Sequence, residues 1–214
     1  MADDDGHDPD FGLLQRWRAG DRHAGNLLLA RYFNLLRFFF LGRVPNQDIE
    51  DLIQEVFMRM TEALHRFEGR SSVRTFMLRI ARNVVLEIWR KRGCDVDTYR
   101  DSLYAISGES YSQILVSVEE HQWLLDAMQH ISLEHYDVLE HYYFHDLTTN
   151  EVAELLDIPA GTVKSRLRVA RESLLRVMIE RLGVDAEAWS DEALARGLTK
   201  VRDEFQRARK RKDK

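Results

Sequence analysis

Apolar residues recur at intervals of three and four along most of this chain, and no stretch alternates convincingly between apolar and polar residues as a strand does. The clearest case runs from Ile49 to Leu64, where the spacing predicts one buried stripe on a helix. The stretches 11–41 and 73–92 have the same period, and Gly93 follows as a stop signal. Three helices with short connections predict a compact helical unit.

Helical periodicity is lost from Gly93 to about Gln113, where Asp, Ser and Glu dominate, and it resumes at Ile114. The predicted fold class is therefore all-α, with two small helical domains joined by a flexible linker, the second containing a helix-turn-helix. The predicted organisation is a disordered acidic N-terminus (1–10), a first domain (11–93), a linker (94–113), a second domain (114–183) and a C-terminal extension of unknown role (184–214).

The helix-turn-helix lies within the second domain. Thr148 followed three residues later by Glu151 is a capping box, and it predicts a short helix that ends near Asp157. Residues 158–161 then predict a turn, and a longer helix runs from Thr162 to about Arg181. Its predicted inner stripe consists of Val163, Leu167, Ala170 and Leu174. Basic and polar side chains near the start of the second helix are what a major-groove reader requires.

Charge supports two separate nucleic-acid surfaces. The formal net charge is only -5, but residues 66–93 carry +6 and residues 158–183 carry +4, while the region 94–157 carries -13. Basic patches of this kind are typical of phosphate binding, although solvated helix faces would give the same totals. The positions of these basic residues on the predicted helices have to decide between phosphate binding and ordinary solvated faces.

Other features narrow the class of protein. The single cysteine, Cys94, excludes an internal disulfide framework and a four-cysteine zinc site. The acidic start does not resemble a signal peptide, and no stretch approaches the roughly 20 apolar residues of a membrane span. We therefore expect a cytoplasmic protein without membrane insertion.

The first basic patch differs in kind from the second. A basic face with one amide on the helix 73–92, entered through a basic loop, suits single-stranded or splayed nucleic acid better than a duplex groove. The side chains concerned are Phe67, Arg70, Ser71, Ser72, Arg74, Arg79, Arg82 and Asn83. The alternative for nearby Phe76 and Trp89 is a purely structural role, which we favour for both.

Three segments in this order resemble the extracytoplasmic-function sigma factors, the small two-domain promoter-specificity subunits of bacterial RNA polymerase. They are Asp48 to Phe57 (DIEDLIQEVF), Leu78 to Asn83 (LRIARN) and Ile158 to Leu167 (IPAGTVKSRL), and the resemblance covers about residues 11–182. It implies a non-enzymatic protein, without cofactor or metal, that directs promoter recognition, DNA opening and transcription initiation. The implied partners are core RNA polymerase, promoter DNA and an anti-sigma factor.

The resemblance also implies roles for individual residues. The residues implied to bind polymerase lie on the solvent side of the helix 46–65: Asp51, Gln54, Glu55 and Met58. Those implied to bind the minus-ten element are Phe67, Arg70, Ser72, Arg74, Arg79, Arg82 and Asn83. Those implied to bind the minus-thirty-five element are Thr162, Lys164, Ser165, Arg166, Arg168 and Arg171.

Two other classes of function remain as alternatives. A stand-alone helix-turn-helix regulator would explain the second domain and leave the first domain's motif without a role. An enzyme or metal protein would use His141 and His145, which lie four residues apart, but this apolar stretch more often contains buried structural imidazoles.

Overall fold

The structure is a computed structural model that describes residues 8, 10–41, 43–91, 124–128, 130–183 and 189–212. In these ranges the only regular secondary structure is helical, so the prediction of an all-α fold is confirmed. The predicted linker (94–113) and the first ten residues of the helix predicted from Ile114 lie outside the described residues.

Four α-helices make up the described part of the first domain. They are α1 (Phe11–Arg18), α2 (Arg22–Phe40), α3 (Ile49–Ala63) and α4 (Val73–Lys91), with 3-10 turns at Asn46–Asp48 and Leu64–Arg66. Helix α1 lies against α2, and α3 packs on both α2 and α4.

The prediction of one continuous helix over 11–41 is wrong at residues 19–21. Gly20 has φ +98°, a left-handed conformation that glycine adopts without strain and that ends α1. Asp21 then begins α2, because its carboxylate accepts hydrogen bonds from the backbone N–H groups of His23 (3.0 Å) and Ala24 (3.1 Å). The result is a helical hairpin rather than a single rod.

The predicted stripe of α3 forms part of the core. Its buried members are Ile49, Ile53, Val56, Met60 and Leu64, while Leu52 and Phe57 are half-buried against them. Helix α4 is buried over a wide arc, which includes Met77, Ala81, Val84, Val85 and Trp89. Helix α4 packs against α3 on one side and against the second domain on another, which explains the wide arc.

The end of the acidic N-terminal stretch contacts this domain. The Asp8 carboxylate accepts a hydrogen bond from the backbone N–H of Val73 (2.5 Å) at the start of α4. Asp10 is 6% exposed, pairs with Arg31 and accepts a hydrogen bond from the hydroxyl of Tyr32 (2.5 Å). These two carboxylates connect the chain start to α2 and α4.

The second domain contains four named helices in its described part. Residues 124–128 are helical; α5 (Leu133–Leu139) continues into a π-turn (Glu140–Phe144) and is followed by α6 (Thr149–Leu156), α7 (Ala160–Leu182) and α8 (Asp191–Lys212). Helix α7 packs against both α5 and α6.

Helix α8 belongs to the core of this domain. Leu194, Leu198 and Val201 are fully buried, and α8 contacts both the π-turn and α7. A Cβ placed at Gly197 would lie 3.2 Å from the Trp189 ring, so α8 passes close to the segment that leads into it. The predicted C-terminal extension (184–214) thus contains a helix that packs into the core at residues 194–201.

The two domains pack against each other. Arg43, just after α2, is buried and donates hydrogen bonds to both carboxylate oxygens of Glu140 and to Asp137 Oδ1 (2.9 Å). The Phe38 ring meets the Phe144 ring edge-on with centroids 5.8 Å apart. Helices α4 and α6 are in direct contact across the same interface.

Candidate nucleic-acid and polymerase interfaces

Helices α6 and α7 have the form of a helix-turn-helix. The capping box is present: the Glu151 N–H donates to Thr148 Oγ1 (3.2 Å), and the Thr148 N–H donates to Glu151 Oε2 (2.9 Å). Asp157 ends α6 in a left-handed conformation with φ +57°, and Pro159 precedes α7. The four residues of the predicted inner stripe of α7 are all buried: Val163, Leu167, Ala170 and Leu174.

The outer face of α7 presents polar and basic groups near its N-terminus. Lys164, Ser165 and Arg168 are exposed, whereas the other three residues predicted for this site, Thr162, Arg166 and Arg171, are half-buried. Arg166 forms an ion pair with Glu134 (3.0 Å), and Arg171 lies 3.5 Å from the Tyr143 hydroxyl. The three exposed side chains project into solvent near the start of α7, as groove-contacting side chains of a recognition helix do. The half-buried Arg166 and Arg171 lie beside them.

The solvent side of α3 carries the four residues predicted for polymerase binding. Asp51 and Gln54 are exposed, and Met58 is 56% exposed, the largest value among the exposed large apolar side chains of the described residues. Glu55 lies beside them and pairs with Arg59 (2.7 Å). An exposed methionine among polar groups is what a helix-docking surface provides.

Six of the seven predicted minus-ten residues divide into two groups in this structure. Arg70 and Asn83 are exposed, and Arg70 pairs with its neighbour Glu68. Four others, Ser72, Arg74, Arg79 and Arg82, are half-buried and face the second domain. A basic face is therefore present on α4, but the second domain covers much of it.

Phe67 lies inside the first domain in this conformation. Its side chain is 5% exposed, and its ring centroid is 4.7 Å from that of Phe76 and 6.3 Å from that of Phe11. Phe76 and Trp89 both pack against the core, in agreement with the structural role favoured for them. In the sequence Phe67 stands next to a basic loop. That position gives no sign of the contacts with Phe76 and Phe11 that bury its ring.

Sequence analysis did not identify Arg43 and Glu140 as an interface pair. Burial by itself opposes the charge of Arg43, but the carboxylates of Glu140 and Asp137 outweigh this and hold its pKa well above its usual range. Arg43 follows an apolar helix end, and Glu140 lies 97 residues further along the chain. A single sequence contains no signal for a pairing over that distance.

Glu140, His141 and His145 form a buried cluster that could be considered for a metal ion. One ligand atom from each lies within 4.8 Å of the others, and His141 Nδ1 and His145 Nε2 have no hydrogen-bond partner. However, Arg43 already engages both oxygens of Glu140. The imidazole pKa values are lowered mainly by burial and further by Arg43, and the same positive potential disfavours a bound cation. We assign the cluster a packing role in the interface.

Comparison with protein-family models matches both domains in chain order. The model for sigma-70 region 2 matches residues 28–93, and the model for sigma-70 region 4 matches residues 127–175. The chain is also 26% identical over 175 residues to the ECF RNA polymerase sigma-E factor of Haemophilus influenzae, covering 77% of this chain and 93% of the relative.

The chain belongs to the extracytoplasmic-function sigma factor family. The sigma-E factor of Escherichia coli is 28% identical to this sigma factor over 172 residues, which cover 76% of this chain and 90% of the relative. A stand-alone helix-turn-helix regulator is not favoured, because the region 2 match accounts for the first domain.

Solved structures support the fold of this sigma factor. CnrH, in complex with the cytosolic domain of CnrY, superposes with a TM-score of 0.59 at 18% identity, covering 80% of this chain and 98% of that one. The sigma factor RpoE of Bartonella quintana, in complex with the anti-sigma factor NepR, gives 0.56 at 19% identity, covering 73% and 97%. Among the described helices, none combines the length and apolar character needed to cross a membrane.

Proposed function

We propose that this sigma factor binds core RNA polymerase through α3 and then contacts promoter DNA with two basic surfaces. Helix α7 reads the minus-thirty-five element as duplex, and the α4 face with its entry loop binds the opened minus-ten element. The protein acts in the cytoplasm as a non-enzymatic specificity subunit. An anti-sigma factor is proposed as its regulator, because both structural neighbours were solved with a partner of their own.

The exposed side chain of Met58 supports the polymerase contact most directly. An apolar side chain that is 56% exposed on an otherwise acidic helix face gains free energy when a partner covers it. Asp51, Gln54 and Glu55 surround it with groups that can pair with basic and polar side chains of a partner. The proposal is that these four residues dock as one surface.

Met58→Ala tests this surface. We expect its affinity for core polymerase to fall by at least about fivefold, since truncating a central apolar contact removes about 1 kcal/mol or more of binding energy. Leu27→Ala is the matched control, because Leu27 is similarly exposed (46%) but lies on α2. Equal affinity of Met58→Ala and the wild type for core polymerase would contradict docking through α3.

The DNA contacts are tested by run-off transcription with core polymerase on promoters selected by sequencing bound DNA. Arg168→Ala and Lys164→Ala should each weaken use of promoters that depend on the minus-thirty-five element, by up to 3 kcal/mol or about 150-fold for a bidentate base contact. A phosphate contact would instead weaken all promoters alike and reduce the salt dependence. If neither variant changes promoter use, α7 is not the reader.

The remaining assignments are proposals of the same kind. Loss of transcription without loss of polymerase binding is the expected result for the exposed minus-ten residues, with Arg70→Ala and Asn83→Ala as the first variants. Their side chains are accessible in the present conformation, so the substitutions should leave the fold intact. Thermal unfolding of each variant provides the control for that point.

A further inference from the structure

A cavity of about 460 Å³ lies where the two domains meet. Residues of α4 and of the end of α2 form one side of it, and residues of the helices α5 to α7 form the other. Small-molecule sites in proteins have volumes of about 300–1,000 Å³ and occur preferentially at interfaces between domains. The cavity therefore has the size and position of a ligand site, and neither the polymerase contact nor the promoter contacts proposed above require it.

The walls of the cavity are largely apolar and come from both domains. Its aliphatic and aromatic lining includes Val85, Leu86 and Trp89 from the first domain, and Leu133, Leu156 and Ile158 from the second. His141 also lines the cavity, and its imidazole is uncharged because burial above all, and then the cations of Arg43 and Arg82, keep its pKa well below the usual value. These walls favour an occupant with an apolar body, because such a body displaces water from apolar surface on both sides.

Charged side chains are also present in the lining, and most of them are already paired. Arg43 lies between the carboxylates of Glu140 and Asp137 (2.9 Å to Asp137). Arg166 lies 3.0 Å from the carboxylate of Glu134. The two carboxylates that line the cavity, those of Asp137 and Glu134, are thus each held by an arginine.

Among the described residues that line the cavity, Arg82 is the arginine without a carboxylate partner. Within the described parts of the chain its guanidinium has neither a hydrogen bond nor an ion pair, whereas Arg79, one turn earlier on α4, has both. The side chain of Arg82 is half-buried, so water reaches it only in part. A guanidinium with free donors in such a place favours a carboxylate, because charge-assisted hydrogen bonds are stronger than neutral ones.

We propose that this cavity binds a small amphipathic carboxylate, whose charged group pairs with Arg82 and whose apolar body fills the space between α4 and the residues 156–158. The ligand contacts both domains at once, so its binding free energy adds to the stability of their packing. The packed arrangement of the domains thereby becomes sensitive to the concentration of a small acid. A short fatty acid and an aromatic acid share this chemistry, and the experiment below distinguishes them.

Isothermal titration calorimetry on the full-length protein tests the site with octanoate, 2-naphthoate and the corresponding uncharged amides, octanamide and 2-naphthamide. We expect at least one of the two carboxylates to bind with a stoichiometry of one per chain. Its amide should bind about tenfold more weakly, which is the expected loss for one charge-assisted hydrogen bond. The comparison of octanoate with 2-naphthoate shows whether the cavity prefers a flexible chain or a ring.

Arg82→Met removes the cation and keeps an apolar side chain. It should lower the affinity for the carboxylate about tenfold, to that of the amide, and leave the affinity for the amide unchanged. Arg90→Met is the matched control, because it makes the same change at an exposed position of α4 and should keep the wild-type affinity. Leu86→Trp fills the cavity and should abolish binding of both probes. Circular dichroism checks the folding of each variant; if Leu86→Trp does not fold, the comparison of Arg82→Met with Arg90→Met decides alone.

Urea unfolding provides an independent readout of the ligand's effect on stability. The midpoint of the wild type should rise with the concentration of the acid that binds, and that of Arg82→Met should rise less. Equal affinity for a carboxylate and its amide would overturn the proposal, as would wild-type affinity in Arg82→Met or no binding of either acid. Binding that survives in folded Leu86→Trp would place the acid outside the cavity and contradict the proposal as well. None of these measurements uses polymerase or DNA, so their failure leaves the proposed function intact.

Discussion

Arg43 links the two domains through a buried ion pair with Glu140. Its guanidinium forms hydrogen bonds with Glu140, Asp137 and the backbone carbonyl of Phe39 (2.9 Å), and it lies 4.3 Å from the centroid of the Phe39 ring. A buried pair of this kind adds little net stability compared with an apolar pair of the same shape. Removing one partner is different, because the other charge is left buried and unpaired.

Arg43→Met should therefore reduce the free energy that holds the domains together by about 3–5 kcal/mol. The expected observation is a larger radius of gyration and a lower urea midpoint. Arg16→Met is the control, since Arg16 pairs with Asp21 at an exposed site (60% and 33% exposed), where water competes for both charges and the loss is small. A shift no larger than that of the control would show that the buried pair does not hold the interface.

Gly25 is a second residue whose identity is fixed by its surroundings. A Cβ at this position would lie 2.7–2.8 Å from the Trp17 indole, where α1 crosses α2. Gly25→Ala should destabilise the first domain by about 1–3 kcal/mol through overpacking. Gly12→Ala, with nothing within 4 Å of the added carbon, should instead stabilise it by up to about 1 kcal/mol. Thermal unfolding of both variants gives the comparison, and equal melting temperatures would contradict the close approach.

At the scale of elements, the interpretation of α8 changes most. The sequence assigned no role to this segment, whereas in the structure the helix is part of the core of the second domain. Helix α8 packs against the π-turn that carries Glu140 and His141, and Arg202 pairs with Asp146 (2.8 Å) just before α6. Asp146 has φ +54°, so the chain makes a strained turn at the point that α8 contacts. Helix α8 thus supports the segment that leads into the helix-turn-helix.

Leu198→Ala should destabilise the second domain by about 2–5 kcal/mol, because a fully buried leucine leaves a cavity. Leu27→Ala makes the same chemical change at a site that is 46% exposed and should have a small effect. Deletion of residues 184–214 should likewise lower the melting temperature. If the deletion raised transcription without changing stability, α8 would be a removable inhibitor rather than a structural element.

At the scale of the whole molecule, the interface contains two buried imidazoles. Burial is the main reason that the pKa values of His141 and His145 lie well below 6.5, and the cations of Arg43, Arg74 and Arg82 add to the effect. Both groups stay neutral in the closed, folded protein, whereas they bind protons near pH 6.5 once exposed. The unfolded or separated state therefore binds more protons below about pH 6.5.

Stability should consequently be constant above about pH 7.5 and fall as the pH drops through 6.5. Two imidazoles give a slope of up to about 2.7 kcal/mol per pH unit. Urea unfolding between pH 5.5 and 8, a range that spans the histidine titration near pH 6.5, measures this slope. His141→Leu/His145→Leu should flatten the curve. The double variant of the exposed residues, His23→Leu/His65→Leu, should retain the slope, and a flat wild-type curve would contradict the prediction.

The local features were predictable because they depend on residues close together in the chain. The stripe of α3 from Ile49 to Leu64 follows from helical periodicity, and the start of α6 follows from the capping box of Thr148 and Glu151. The break at Gly20 had a signal as well, a glycine followed by the capping residue Asp21, but the apolar pattern on both sides obscured it.

The sequence by itself determined the helical class, the order of the two domains and the family, because helix periodicity and family motifs are contiguous strings of residues. Only the tertiary structure decided that α6 lies on α4, that Arg43 pairs with Glu140 across 97 residues, and that α8 completes the second core. These contacts join segments distant in the chain, and their free energy depends on complementary burial and charge on two surfaces at once. A single sequence specifies the residues of each surface, but it does not show that the two surfaces fit together.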